Sequence, residues 1–294
     1  MHYVEWGRRT NPRVTICAHG YSGNARDFDF LATALARDSR VIAPDVAGRG
    51  ESDWLSSPLH YHFGQFAADL TSLIAHIDAE EVDWIGTSMG GLLGMILASR
   101  PGSRIRRLVL NDIGGYIPPD ALADISRNLD GPRHFATLAE AEAHFRRTHR
   151  EWGDLTDEQW QHFARHGTRP HEKGLRLHYD PQIAQVAQPH PLSPGAFFWD
   201  AWYQVRCPVL LLRGENSAVF PESVARHMLA VKPQARLVEI PGAGHAPALM
   251  SEDQIGIVRD FLLSPSPLGA GRGEGNVGRA EGRSTRIEGL TMPA

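Results

Sequence analysis

The chain has 294 residues, 42% of them hydrophobic, which suffices for one large α/β domain with or without an inserted segment and for a sizeable buried core. Thirty basic and 34 acidic side chains give a formal net charge of -4 without a long run of either sign, which argues against nucleic-acid and membrane partners and favours a small neutral ligand. Cys17 and Cys207 lack the spacing of a zinc site, and the first residues lack the pattern of a signal peptide. We therefore expect free thiols, no bound metal and a cytoplasmic protein.

Short apolar runs alternate with helix-like stretches through the first 110 residues. The strand-like runs are 14–18, 41–44, 82–85 and 108–110, and the helix-like stretches between them are 27–36, 66–77 and 92–98. This alternation predicts an α/β fold with a mostly parallel central sheet flanked by helices.

The pattern changes at about residue 114 to charged, helix-like segments that are broken by prolines. We interpret residues 114–205 as an inserted helical lid and expect its histidines to face solvent: His134, His144, His149, His162, His166, His171 and His178. Strand signals resume at 207–214 and 237–241, before a helix at 252–263, so residues 1–113 and 206–263 are predicted to form the core. Residues 264–294 have almost no large apolar side chains and are predicted to be a disordered tail.

One serine lies between two glycines where the strand-like run 82–85 meets the helix-like stretch 92–98. Gly86, Ser88 and Gly90 have the spacing G-x-S-x-G, in which a sharp turn exposes the serine hydroxyl and the glycines avoid a clash. Five such residues also occur by chance as a glycine-rich turn, so partners are needed. Ser88 is the predicted nucleophile.

A nucleophilic serine requires a base and donors for the oxyanion that forms when it attacks a carbonyl group. His245 lies on the loop after the run 237–241, which is the position for a base that follows the serine in the chain. The backbone N–H of Met89, directly after Ser88, and that of Tyr21, after the run 14–18, are the predicted oxyanion donors.

In these motifs, taken together and in order, the chain resembles the α/β-hydrolases, in particular their lidded serine esterase-like members. The segments that carry the resemblance are 19–20, 44–53, 86–90, 110–114 and 242–245. The resemblance spans about residues 3–263 and implies an eight-stranded, mostly parallel sheet, no cofactor, and hydrolysis through an acyl group on the serine. Relatives have a further strand before the segment that matches residues 2–7, so the edge of the sheet is expected to be incomplete.

The acid of the triad is missing from its usual place. The family has it three or four residues after a glycine that corresponds to Gly214, where this chain has Ser217 and Ala218. Some relatives take the acid from the end of the preceding strand, where Asp112 lies, and we select Asp112 over Glu215 and Glu222. The open alternative is that no acid is present and Asp112 is structural.

The sequence thus predicts a serine hydrolase that cleaves a small ester, lactone or related carbonyl compound, with Ser88, His245 and Asp112 as catalytic residues. Carbon–carbon bond hydrolysis of a diketone-like product is an alternative for the same residues. A non-catalytic relative that binds a small molecule is the other. The aromatic residues at 197–199 and 202–203 either line an acyl pocket or pack the lid onto the sheet. The sequence leaves the oligomeric state open.

Overall fold

The structure, a computed structural model, describes residues 1–129, 133–186 and 194–265. Its strands in chain order are β1 (Tyr3–Trp6), β2 (Val14–Ala18), β3 (Arg40–Pro44), β4 (Val82–Thr87), β5 (Ile105–Asn111), β6 (Tyr116–Ile117), β7 (His134–Phe135), β8 (Thr168–His171), β9 (Gly174–Leu177), β10 (Ala196–Phe197), β11 (Val209–Gly214) and β12 (Arg236–Ile240). Its helices are α1 (Asp29–Leu35), α2 (Phe63–His76), α3 (Met89–Ala98), α4 (Pro119–Leu129), α5 (Leu138–Thr148), α6 (Asp157–His166), α7 (Ile183–Val186), α8 (Trp199–Gln204), α9 (Glu222–Val231) and α10 (Glu252–Leu263).

Seven strands of the described residues form the central sheet, in the order β1-β3-β2-β4-β5-β11-β12. Only β1 is antiparallel to its neighbour, while the other strands of this sheet run parallel. The mostly parallel sheet is confirmed, with one strand fewer than the eight that the resemblance implies. Strands β2, β3 and β11 are buried along their whole length, as expected for a sheet covered on both faces.

The two faces of the sheet hold separate hydrophobic clusters. On one face, strand residues such as Ile16, Trp84 and Leu108 pack with side chains of α2, α3 and α9. The alternate strand residues, such as Ile85 and Val109, pack with α1 and α10 on the other face. The alternation follows from the two-residue period of a strand. Because β2, β4, β5 and β11 run parallel, their carboxyl ends lie along one edge of the sheet.

The segment between β5 and β11 contains helices α4–α8 and also two small antiparallel sheets, β6 with β10 and β7-β9-β8. The prediction of purely helical structure over 114–205 was therefore incomplete. These strands have two to four residues and include proline, histidine and glycine, so they lack the apolar alternation that identifies a strand. The predicted tail lies outside the described residues from 266 onwards.

Several hydrogen bonds attach this inserted segment to the core. The Tyr61 hydroxyl donates to Asp180 Oδ2 at 2.6 Å, and Asn24 Nδ2 donates to the carbonyl oxygen of His166 at 3.0 Å.

Among the described helices, none has the length and apolar character needed to cross a membrane.

Candidate active site

Ser88 occupies the turn between β4 and α3, at φ 52° and ψ -116°. A non-glycine residue at positive φ is strained, and such strain is tolerated where the surrounding structure fixes the turn. The flanking glycines permit that turn: a Cβ on Gly86 would overlap the carbonyl oxygen of Gly90, and one on Gly90 would overlap the carbonyl oxygen of Ala18. The geometry is thus that of the elbow predicted from G-x-S-x-G.

His245 lies on the loop between β12 and α10 and hydrogen-bonds with both its ring nitrogens. Its Nδ1 is 2.7 Å from Asp112 Oδ2, and its Nε2 is 2.9 Å from Ser88 Oγ. An ionised carboxylate can only accept, so Nδ1 carries the proton and donates to it. Nε2 is then the acceptor for the Ser88 hydroxyl, which is the arrangement a general base requires.

Asp112 directly follows β5 and is fully buried. Besides His245, its carboxylate accepts hydrogen bonds from the backbone N–H of Gly214, at 2.7 Å from Oδ1, and from the Ser217 hydroxyl, at 2.5 Å from Oδ2. Ser217, at a position where the acid was expected, therefore holds the carboxylate that comes from the neighbouring strand. No local sequence pattern indicates this contact.

The two other acidic candidates are engaged elsewhere. Glu215 Oε2 accepts a hydrogen bond from the N–H of Gly242 at 2.9 Å, and Glu222 begins α9 with an ion pair to Arg226 at 3.5 Å. Of the three carboxylates considered from sequence, the structure brings only Asp112 to His245.

The predicted oxyanion donors belong to the two segments that flank Ser88. Met89 is the first residue of α3, so its N–H is one of the helix N-terminal donors without an intrahelical partner. Tyr21 follows Gly20, where a Cβ would be 3.8 Å from the Cβ of Ser88, so its peptide lies beside the nucleophile.

Arg49, whose role sequence reasoning missed, contacts both segments. Its side chain is fully buried, with Nε donating to the carbonyl oxygen of Tyr21 at 2.9 Å and Nη2 lying 3.9 Å from Met89 Sδ. Burial lowers the pKa of Arg49 to about 10, which leaves the guanidinium charged at neutral pH. The guanidinium therefore fixes Tyr21, which carries one of the two predicted oxyanion donors, through a charge-assisted hydrogen bond.

A cavity of about 160 Å³ opens beside Ser88 and His245. The inserted segment supplies most of its apolar wall: Ile125, Leu129, Phe145, Trp152, Phe163 and Leu177. None of the described residues that line it is Lys or Arg. Asp27 is the acidic residue among the described residues of the cavity wall, and burial raises its pKa to about 7.

Two histidines of the inserted segment line this cavity, which corrects the expectation that its histidines face solvent. His144 is buried, and its pKa is lowered mainly by this burial and further by the positive charge of the nearby Arg147. His149 also lines the cavity, and burial lowers its pKa to about 4. Only His134 and His171 of the seven are exposed. Helical segments rich in charge do not show which histidine turns inward, because that depends on partners distant in sequence.

The aromatic residues singled out from sequence do not line the cavity that the described residues form. Phe198 packs edge-on against Phe63, and Trp199 packs against His227 of α9 and over Gly115. Trp202 is fully buried. Of the two interpretations offered, packing of the segment onto the core is the one the contacts support.

One group of three potential metal ligands occurs in the described part of the chain. The side chains of Asp29, His162 and His166 have ligand atoms within 4.8 Å of one another. The Asp29 carboxylate already accepts two hydrogen bonds from Arg26 Nε, at 2.8 and 2.9 Å. The guanidinium both occupies the carboxylate and repels a cation, so the group is a poor metal site.

Comparison with known proteins agrees with this geometry. The sequence matches the α/β hydrolase fold family over residues 14–250. A 3-hydroxybutyrate-oligomer hydrolase from Cupriavidus necator is 40% identical over 270 residues, which cover 89% of this chain and 92% of the relative. A 2-(acetamidomethylene)succinate hydrolase from Mesorhizobium japonicum is 26% identical over 229 residues, 77% of this chain and 79% of the relative. The crystal structure of an α/β hydrolase from Novosphingobium aromaticivorans, 34% identical, superposes with a TM-score of 0.79 over 89% of this chain and 93% of that one. The chain therefore belongs to the α/β hydrolase fold family and is a hydrolase.

Proposed function

We propose that the protein is a serine-type carboxylic ester hydrolase that acts through an acyl-enzyme at Ser88. The observation that carries the proposal is a continuous series of hydrogen bonds from Ser88 through His245 to Asp112. Ser88 Oγ is 2.9 Å from His245 Nε2, and His245 Nδ1 is 2.7 Å from Asp112 Oδ2. This chain supplies a nucleophile, a base and an orienting group in the order that acyl transfer needs.

In the proposed reaction, Ser88 Oγ attacks the ester carbonyl carbon as His245 Nε2 takes its proton. The N–H groups of Tyr21 and Met89 stabilise the oxyanion of the tetrahedral intermediate. The C–O bond to the alcohol then breaks, and His245 returns the proton to the leaving oxygen. A water molecule, deprotonated by His245, attacks the acyl-serine in the same way and releases the acid together with free Ser88.

The cavity supports a small, uncharged acyl group. A volume of about 160 Å³ is close to that of a cavity that binds benzene, which has six non-hydrogen atoms. The described lining residues include no Lys or Arg that could pair with a carboxylate. A 3-hydroxybutyryl group has four carbons and two oxygens and fits these limits, so oligomers of 3-hydroxybutyrate, named for the 40% identical relative, are the first substrates to test. Residues 114–205 would act as the lid over this cavity.

Labelling with a fluorophosphonate probe, together with ester hydrolysis followed in a pH-stat, tests the proposal. We expect the wild type to be labelled and to hydrolyse methyl butanoate, and Ser88→Ala to lose both properties. Ser72→Ala, which removes an exposed hydroxyl on α2, is the matched control and should behave as the wild type. Equal labelling of wild type and Ser88→Ala would refute the nucleophile, and labelling without turnover of any ester would refute the ester substrate.

A further inference from the structure

His149 lies in the cavity wall at the end of α5, where neighbouring residues fix its ring. The ring packs edge-on against Trp152, with centroids 4.1 Å apart, and contacts Phe145 at 5.5 Å. Its Nδ1 is 2.8 Å from the Thr148 hydroxyl oxygen. These contacts hold the polar ring of His149 in the cavity wall beside two apolar aromatic rings.

The hydrogen bonds of Thr148 determine which nitrogen of His149 carries the proton. The Thr148 hydroxyl has one hydrogen, and its oxygen lies 2.9 Å from the carbonyl oxygen of His144, which can only accept. The hydroxyl therefore donates to that carbonyl, and its contact with His149 requires an N–H at Nδ1. Nε2 of His149 is left with a lone pair and is an acceptor.

Among the described residues, two polar groups lie against the ring of His149, namely the Thr148 hydroxyl and the backbone carbonyl of Phe145. The hydroxyl contacts Nδ1 and the carbonyl can only accept, so neither donates to the lone pair of Nε2. His149 also stays uncharged at neutral pH, because burial lowers its pKa to about 4. A neutral acceptor beside the apolar rings of Phe145 and Trp152 favours a ligand that brings an uncharged donor, since an acceptor that the ligand covers without pairing is costly. A hydroxyl group is such a donor, whereas a carbonyl or carboxylate oxygen is not.

We propose that His149 Nε2 accepts a hydrogen bond from a hydroxyl group on the acyl part of the substrate, so that the cavity selects hydroxyacyl esters over plain acyl esters. The inference rests on the proposed ester hydrolysis at Ser88 and assigns the wall of the same cavity a role in specificity. The substrate class it names is short-chain esters of hydroxy acids.

The test compares methyl 3-hydroxybutanoate with methyl butanoate in the wild type and in His149→Phe, which keeps an aromatic ring against Trp152 but has no acceptor. We expect the ratio of the two kcat/KM values to fall about tenfold in the variant, as for the loss of one substrate hydrogen bond. His149→Gln, which carries an amide oxygen, should retain more of the ratio than His149→Phe. His171→Phe, at an exposed histidine outside the cavity, should leave it unchanged.

A measurement on the wild type alone covers the case in which His149→Phe does not fold. Methyl 3-oxobutanoate has a carbonyl in place of the hydroxyl and cannot donate to Nε2. After correction for its rate of alkaline hydrolysis, we expect it to be about tenfold poorer than methyl 3-hydroxybutanoate. An unchanged ratio in His149→Phe, or equal corrected rates for the two esters, overturns the subsite. Absence of any ester turnover in the wild type would instead refute the proposed function.

Discussion

Asp112 and Ser217 meet because β5 and β11 are neighbours in the sheet, with Asn111 opposite Leu212. The pairing brings the residue after β5 next to the loop after β11, although the two residues are 105 positions apart in the chain. Sequence alone predicted Ser88 and His245 from local motifs, since each lies in a turn with a recognisable glycine pattern. It left the acid open between Asp112 and none, because strand order is not visible in local spacing.

Replacing Asp112 with asparagine tests whether this carboxylate serves the triad. The amide keeps the size of the side chain but can neither fix the tautomer of His245 nor stabilise its protonated form. We expect kcat to fall by about 10⁴-fold, as when the orienting aspartate of a serine protease is replaced. Steady-state ester hydrolysis measures this, with circular dichroism to verify the fold. A loss below tenfold would make Asp112 structural.

Replacing Ser217 with alanine tests whether the hydrogen bond from its hydroxyl to the Asp112 carboxylate contributes to stability and activity. The change removes a donor to the carboxylate and the acceptor for the backbone N–H of Phe220, which is 3.0 Å from Ser217 Oγ. Each buried group left unpaired costs about 1–3 kcal/mol, so thermal unfolding should shift down by several degrees and kcat should fall about tenfold. Ser72→Ala, with an exposed hydroxyl, should change neither value. Normal kcat and melting temperature in Ser217→Ala would show that the contact is dispensable.

At the scale of elements, the turn between β4 and α3 was predictable and the small sheets of the inserted segment were not. The turn has a strict steric requirement for glycine, so a pattern of five consecutive residues is enough to recognise it. The strands of the inserted segment obtain their partners from other parts of that segment, as β7 does from β9, so their own residues carry little of the information. The helices of the same segment were visible because amphipathic spacing is a local property.

Replacing Gly90 with alanine tests the close approach of α3 to β2. The added Cβ would overlap the carbonyl oxygen of Ala18, which is part of the sheet and cannot move freely. We expect a loss of at least about 3 kcal/mol in the free energy of unfolding, measured by urea denaturation. Gly256→Ala, in α10 and without a neighbouring atom within 4 Å of its Cβ, should instead stabilise by about 0.5–1 kcal/mol. Equal effects of the two changes would mean that α3 can shift away from β2.

At the scale of the molecule, the inserted segment and the core build the site together. The N–H of Gly244 donates to the carbonyl oxygen of Glu151 at 2.6 Å, and the N–H of Ala248 to that of Trp152 at 3.3 Å. The loop that carries His245 is thus fixed by the segment that also supplies His149. The order of strands and helices along the chain was enough to predict the fold class. These two hydrogen bonds could not be predicted, because they join residues more than 90 positions apart and depend on the folded core.

His19 links two loops of the core and should make stability depend on pH. Its Nδ1 donates to the carbonyl oxygen of Gly20 at 2.7 Å, its Nε2 accepts from the N–H of Val46 at 3.0 Å, and the side chain is fully buried. Burial lowers its pKa in the folded protein from 6.5 to about 4. Between these pH values the unfolded chain binds a proton at His19 that the folded protein does not. The contribution of the neutral His19 to the free energy of unfolding is therefore fully present above pH 6.5 and is lost as the pH is lowered toward 4.

Replacing His19 with glutamine isolates this contribution from the other titrating groups. Glutamine retains one donor and one acceptor but does not titrate, so its variant should be less stable than the wild type at pH 7 and lose less on acidification. A pKa difference of 2.5 corresponds to about 3 kcal/mol, so the gap in unfolding free energy between wild type and His19→Gln should narrow by up to that amount between pH 7 and pH 4. Urea denaturation at several pH values measures the gap. A gap that stays constant with pH would mean that His19 binds its proton equally well in the folded and unfolded chain.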